Sequence, residues 1–201
     1  MEQSIFWALL GFIAGSIPFS VLVGHIFLRK DIRLYGDGNP GGTNAWKAGG
    51  WRIGLLAALL DISKGYLPVH FACRYGVSGW FLVPVALAPI LGHAFSPLLK
   101  FRGGKALSTS GGVWLALAGP KILIVYALLT LPVLALQVEH AVAANAGMLS
   151  LLGYTLWFDR SPYLVAFALL NMGVVAWKHR KELSYPIQLR PWITDLLRRS
   201  A

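Results

Sequence analysis

The chain has 201 residues, 56% of them hydrophobic and only 13% charged, with a mean hydropathy of +0.61 and a net charge of +10. A water-soluble domain of this length could not hide so much apolar surface, which excludes an ordinary soluble fold. The positive charge alone would suit a nucleic-acid binder, but all of it except Lys64 lies outside the apolar segments.

Those segments follow one another along the chain. Residues 4–28, 53–72, 79–99, 122–138, 141–157 and 162–177 each lie near or above the ~17 residues needed to cross a bilayer. A shorter one, 107–119, could cross only partly, or where the bilayer is thin or the helix is buried in protein. The pattern predicts an all-α, polytopic integral membrane bundle of about seven helices, forming a single domain over residues 1–201. The first segment is too long for the apolar part of a signal peptide, and Glu2 stands where a signal would be basic. Within it Gly11 and Gly15 have the four-residue spacing that suits close helix packing. One cysteine, Cys73, excludes an internal disulfide framework.

Charge then orients the bundle. With seven crossings and the N-terminus outside, the inner stretches hold 14 of the 18 Lys and Arg residues, from Arg29 through Lys47 and Lys105 to Arg199. The outer stretches hold Arg74, Lys121 and Arg160 alone, and Lys64 lies inside a span. So strong a positive-inside bias explains the net charge without nucleic acid and places the C-terminus in the cytoplasm. The tail "RPWITDLLRRS" (190–200) is expected against anionic lipid headgroups.

The polar chemistry gathers on that inner side. In the first inner loop, 29–52, "GDGNPGGTNAWK" places Asp37, Gly38, Asn39, Gly41, Thr43, Asn44 and Lys47 close together. Glycines let successive N–H groups converge into an anion nest, to which a following helix N-terminus adds its dipole. The second, "LLKFRGGKALSTSGG" (98–112), repeats the recipe with Gly103, Gly104, Lys105, Ser108 and Thr109. It is not a Walker A loop, since Leu99 stands where the first glycine would be. Either loop alone could be a simple turn with a snorkelling lysine. Two on one face, each with lysine, point to phosphate.

Ionisable groups within spans add to this. Asp61 and Lys64 are three apart, hence on one helix face, and could be a structural pair that positions the loops. His93 stands near the inner end of its span, as a packing residue or a site residue. His179 follows the last span among Lys178, Arg180 and Lys181, where a solvated basic face is the alternative. The five histidines show no ligand spacing, so neither a metal nor a cofactor is expected.

"GSIPFS" (15–20), "GDGNPGGTN" (36–44), "DISKG" (61–65), "GHAFSPLLKFRGGKALST" (92–109) and "KHR" (178–180) together resemble the PlsY family over nearly the whole chain. These are bacterial acyl-phosphate:glycerol-3-phosphate acyltransferases. The resemblance implies a monomeric, multi-pass enzyme of the cytoplasmic (inner) membrane with its site facing the cytoplasm. It would transfer a fatty acyl group from acyl phosphate to the 1-hydroxyl of sn-glycerol 3-phosphate, giving lysophosphatidic acid and phosphate, with membrane lipids as its surroundings. By the same resemblance His179 and Lys105 are catalytic. Asp37, Gly38, Asn39, Gly41, Thr43, Asn44, Lys47, His93, Gly103, Gly104, Thr109, Arg180 and Glu182 would bind substrate, and Ser16, Asp61 and Lys64 are structural.

The chain departs from the family pattern at Asp37 (serine), Lys47 (arginine), Ala106 (glycine) and Glu182 (asparagine). Lysine keeps the charge of arginine but loses its bidentate fork. Two extra carboxylates must be paired or turned away if phosphates are to bind beside them. Lys47 or Arg33 is the expected counter-ion of Asp37, and Lys178 that of Glu182. A transporter of an anionic lipid precursor and a non-catalytic lipid-binding paralogue are the alternatives to acyl transfer.

Overall fold

Pro18 has no backbone N–H and disfavours helical conformation at Ile17, so the first apolar segment cannot run straight through. The computed structural model describes residues 1–199, and in it α1 (Glu2–Ser16) ends at Ile17 in extended backbone, φ −67° and ψ 120°. Helix α2 (Phe19–Val23) begins beyond the proline and widens into a π turn over Gly24–Leu28. The span expected over residues 4–28 is therefore built of two helices with a break between them. The break exposes carbonyls that the rest of the fold uses. Lys64 Nζ donates to the Ile17 carbonyl at 2.8 Å, and Ser96 Oγ donates to that of Ser16 at 2.6 Å. Ser16, expected to be structural, also donates its own hydroxyl to the Phe12 carbonyl at 2.7 Å.

The described residues divide into two units, Met1–Gly119 and the remainder from Pro120. In the first, the loop expected over residues 29–52 is shorter, because its second half is helical. Helix α3 (Gly42–Arg74) is broken at Gly50, whose φ of 79° and ψ of −178° suit glycine alone. Its two halves fold back on each other about that residue. A side chain at Gly54 would strike Trp46, and one at Gly42 would touch Ala58, pairs placed symmetrically about position 50. The result is a helical hairpin: an arm of about two turns over 42–49, and a stem over 51–74 about 36 Å long.

Helix α4 (Leu82–Ala94) packs on α1 almost backbone to backbone. A Cβ at Gly15 would collide with Pro89, and one at Gly92 with Phe12 and Ser16. The Gly11 and Gly15 spacing thus does serve close packing. Helix α5 (Leu107–Ala118) crosses α3 in the same way, with Gly65 against Thr109 and Gly112 against Ile62. In lipid, where burying one more apolar side chain gains little, such close approaches are what hold helices together.

The second unit contains α6 (Lys121–Leu136), α7 (His140–Tyr154, continuing as a π turn over Thr155–Asp159), α8 (Pro162–Lys178), α9 (Arg180–Leu183) and α10 (Pro191–Arg199). The chain after α9 returns to the C-terminal end of α6. Arg190 N and Nε donate to the carbonyls of Leu136 and Leu134 at 3.0 and 2.7 Å, and Trp192 Nε1 donates to that of Ala135 at 3.0 Å. These donors satisfy carbonyls that a helix end leaves open. Ser200, the last residue of the tail named above, lies outside the described residues.

Among the described residues, three segments are long and apolar enough to cross a membrane: Glu2–Leu28, Gly79–Leu99 and His140–Asp159. Leu107–Ala118, Lys121–Leu136 and Pro162–Lys178 are shorter apolar helices, and the α3 stem is made less apolar by Asp61 and Lys64. The protein is an all-helical membrane protein.

Candidate functional site

The two glycine-rich loops meet in the first unit. After the 3-10 turn Pro97–Leu99, Lys100 and Phe101 both take left-handed backbone, with φ of 52° and 61°, and turn the chain back on α4. Gly104 N–H then donates to the His93 carbonyl at 3.1 Å. A Cβ at Gly103 would strike that carbonyl, and one at Gly104 would strike the His93 ring, so both glycines are required by contact with α4. Lys105 is thereby carried to the first loop, where its Nζ lies 2.7 Å from Asp37 Oδ2.

The first loop wraps around that carboxylate. Asp37 Oδ1 accepts from Asn39 N–H at 3.1 Å and from Asn44 Nδ2 at 2.9 Å, and the same Asn44 amide donates to the Asn39 carbonyl at 2.9 Å. Partial burial pushes the Asp37 carboxyl up, but hydrogen bonds from Lys105, Asn39 and Asn44 and the lysine's charge outweigh it and hold it down at about 2. The expected counter-ions are placed differently. Arg33 is engaged by Asp31 through Nε at 2.9 Å and Nη2 at 2.7 Å, and this hydrogen bond is the chief reason the Asp31 carboxyl is lowered to about 2. Lys47 folds against Gly36, where a Cβ would meet its Nζ. The counter-ion of Asp37 is Lys105.

Behind this pair lies a cavity of about 320 Å³. Asn39, Gly41, Gly42, Thr43 and Trp46 line it from one loop and Lys105 and Ser108 from the other, and Leu55, Ala58, Asp61 and His93 are among the further lining residues. Gly41 precedes the 42–49 arm and has no side chain with which to cap it, so the first N–H groups of that helix, at the cavity wall, have no side-chain acceptor from the N-cap. An ammonium, uncapped N–H groups and side-chain amides beside an apolar wall suit an anionic head joined to an apolar body.

Beneath the cavity Asp61 is 2% exposed and engaged through both oxygens. Its Oδ2 accepts from Ser20 Oγ at 2.7 Å, and its Oδ1 lies 2.7 Å from Lys64 Nζ and 3.8 Å from His93 Nδ1. Through the further bond from Lys64 to Ile17, this cluster ties the broken first helix to the α3 stem and to α4. Asp61 and Lys64 thus form an ion pair on one helix face, and Asp61 also lines the cavity.

The remaining predicted residues divide. Gly38, with φ of 74°, makes the turn that lets its N–H donate to the Tyr35 carbonyl at 3.2 Å. Thr109 is fully buried in the contact with Gly65 of α3, so Ser108, not Thr109, is the hydroxyl residue that the second loop brings to the cavity wall. In the second unit, His179 is 3% exposed, with Nδ1 2.9 Å from the Val175 carbonyl. A carbonyl can only accept, so Nδ1 carries a proton in this contact, and when the ring is neutral Nε2 is the nitrogen with the lone pair that a general base needs. Arg180 donates to the Trp177 carbonyl at 2.8 Å and stacks over that indole at 4.6 Å. Glu182 lies on α9.

The sequence alone does not single out Ser20, Ser96 and Trp46. Ser20 and Ser96 stand in "GSIPFS" and "GHAFSP". A hydroxyl within two residues of a proline in an apolar run is the available signal, but their partners lie 41 and 80 residues away.

A sequence profile of the glycerol-3-phosphate acyltransferase family matches residues 5–188. The chain is 37% identical to glycerol-3-phosphate acyltransferase 1 of Thermotoga maritima, over 86% of this chain and 92% of that one. It is 36% identical to a glycerol-3-phosphate acyltransferase of Thermus thermophilus, over 91% of each. Among solved structures it is similar to PlsY (YgiH), an integral membrane glycerol 3-phosphate acyltransferase. The glycerol 3-phosphate form matches with a TM-score of 0.82 and 26% identity over 90% of both chains. The lysophosphatidic acid form matches at 0.81 and 25%, over 90% of this chain and 89% of that one.

Proposed function

The chain belongs to the glycerol-3-phosphate acyltransferase family, and we propose that it takes its acyl group from an acyl phosphate and delivers it to the 1-hydroxyl of sn-glycerol 3-phosphate. The observation that carries this reading is the meeting of Lys105 with the Asn39–Asn44 loop at one cavity with an apolar wall. Both substrates carry phosphate and one carries an acyl chain, so a site for them needs both surfaces.

An acyl phosphate is a mixed anhydride, already activated, and needs no covalent enzyme nucleophile. The acceptor oxygen forms a bond to the acyl carbonyl carbon while the bond from that carbon to the phosphate oxygen breaks. Inorganic phosphate departs and lysophosphatidic acid remains. The hydroxyl proton passes to His179 Nε2 or to the departing phosphate. Lys105 and the first N–H groups of the 42–49 arm stabilise the phosphate charge, and the loop amides orient it. Thr43, Asn44 and Lys47 are the further phosphate-side residues of this reading, with Arg180 and Glu182 beside His179.

We further propose a single monomeric enzyme unit over residues 1–201 that crosses the bacterial cytoplasmic membrane about seven times with its site inside. Support comes from the charge asymmetry and from the contact between the two basic loops, which requires them to share one side. In the second unit, the return of the tail to the α6–α7 turn agrees, since both would be cytoplasmic.

Purified protein supplied with acyl phosphate and glycerol 3-phosphate should release phosphate and form lysophosphatidic acid without a sealed vesicle. Absence of product would overturn the reading. Orientation is checked by cysteine labelling of intact cells: thiols introduced at Lys47 and Ser184 should be protected from an impermeant reagent, and one at Asp159 should react.

A further inference from the structure

The carboxylate of Asp37 occupies the donors that a phosphate would use. It takes the Lys105 ammonium on one oxygen, and the Asn39 N–H and the Asn44 amide on the other. Lys105 and Asn39 both line the cavity, so this contact lies at its wall and not in a distant surface patch. The pair is also accessible, with side chains 21% and 44% exposed, and water can take up either partner as it separates. Asp37 is therefore arranged like a ligand.

Resting on the acyl-transfer reading, we propose that Asp37 is a specificity-determining residue that sets the site's affinity for a phosphate dianion by competing with it for Lys105. A bound phosphate brings a charge of about −1.5 to −2 and three acceptor oxygens against the single charge of the carboxylate. It displaces Asp37 and takes over the lysine. Because Gly36 and Gly38 hold the loop in left-handed backbone on either side of Asp37, φ of 58° and 74°, a small rotation there turns the carboxylate toward solvent without moving a helix. Asp37 remains ionised throughout the physiological range, so the competition is always present. This differs from simple repulsion. Removing the charge takes a competitor off Lys105 as well as an anion out of the site.

The test reads Lys105 directly, in the full-length protein in detergent. An amine-reactive ester is applied, modification of Lys105 is mapped by mass spectrometry, and inorganic phosphate is titrated as the protecting ion. In Asp37→Asn and Asp37→Ser, Lys105 should be modified faster than in the wild type, and half-protection should need roughly two- to fivefold less phosphate, the range an exposed ion pair can shift an equilibrium. Asp37→Glu, which restores the charge, should return both values toward wild type. In turnover assays the KM for glycerol 3-phosphate should fall by a similar factor in the Asn and Ser variants, with kcat moving less. Unchanged modification rates, or half-protection at equal or higher phosphate in Asp37→Asn, would overturn the proposal. The labelling does not depend on catalysis, so a lack of turnover counts against the acyl-transfer reading and leaves this result to stand or fall by itself.

Discussion

Lys64 meets Asp61, and Lys105 meets Asp37, at the same 2.7 Å, yet the first pair is 1% and 2% exposed and the second 21% and 44%. Burial makes them different devices. Around Asp61 there is no solvent to replace a lost partner, and the cluster includes Ser20, His93 and the Ile17 carbonyl exposed by the proline break. Around Asp37 water is at hand, and its partners are groups that a substrate could use. The buried pair positions the cavity; the accessible pair is open to exchange.

The largest effect should come from breaking the buried pair. Asp61→Ala or Lys64→Ala leaves a charge stranded among helices and should cost about 3–5 kcal/mol, seen as loss of folded protein or a large drop in thermal midpoint in detergent. Replacing both together by apolar residues of similar size should recover much of that stability. A single variant as stable as wild type would dissolve the contrast.

The accessible pair should behave in the opposite way. Lys105→Ala should lower acyl transfer by about 10²–10³-fold, while the thermal midpoint stays near that of wild type. His179→Ala should lower kcat by about 10²–10⁴-fold if its Nε2 takes the acceptor proton. Near-normal turnover in either would remove that residue from the reaction.

A smaller effect is expected at Ala106, which precedes α5 in left-handed backbone with φ of 63°. This is where the PlsY pattern has glycine, and the conformation carries a penalty of about 1 kcal/mol for a side chain. Ala106→Gly should therefore raise the thermal midpoint modestly. A lower midpoint would mean that packing of the buried methyl outweighs the backbone penalty.

The smallest effect concerns pH. The Asp37 carboxyl is held at about 2, below its unfolded value of about 3.9, so its contribution to stability is present above the unfolded value and is lost as pH falls toward the folded one. The difference in thermal midpoint between wild type and Asp37→Asn should be constant from about pH 8 to 5 and shrink only below about pH 4. A change near neutrality would place another titrating group in the contact.

Much of this protein was legible from its sequence because the governing physics is local. Hydropathy depends on composition within a window, and so the apolar segments, the membrane setting and the polar character of both glycine-rich loops could be read directly. The proline in "GSIPFS" is an equally local signal of the break after Ser16. "DISKG" placed Asp61 and Lys64 on one helix face, and that pairing holds.

What only the tertiary structure decided are the choices among partners far apart in the chain. Lys47 and Arg33 are nearer to Asp37 in sequence than Lys105, which is 68 residues away. Arg33 is already engaged by Asp31 two residues back, and Lys47 folds onto Gly36. The left-handed turn at Lys100 and Phe101 then brings Lys105 to the carboxylate. Gly50 likewise looked like one more loop glycine, but its backbone closes a helical hairpin that places the 42–49 arm against the stem carrying Asp61. Hydropathy and spacing specify which residues can pair, whereas the directions in which backbone turns send the chain specify which of them do.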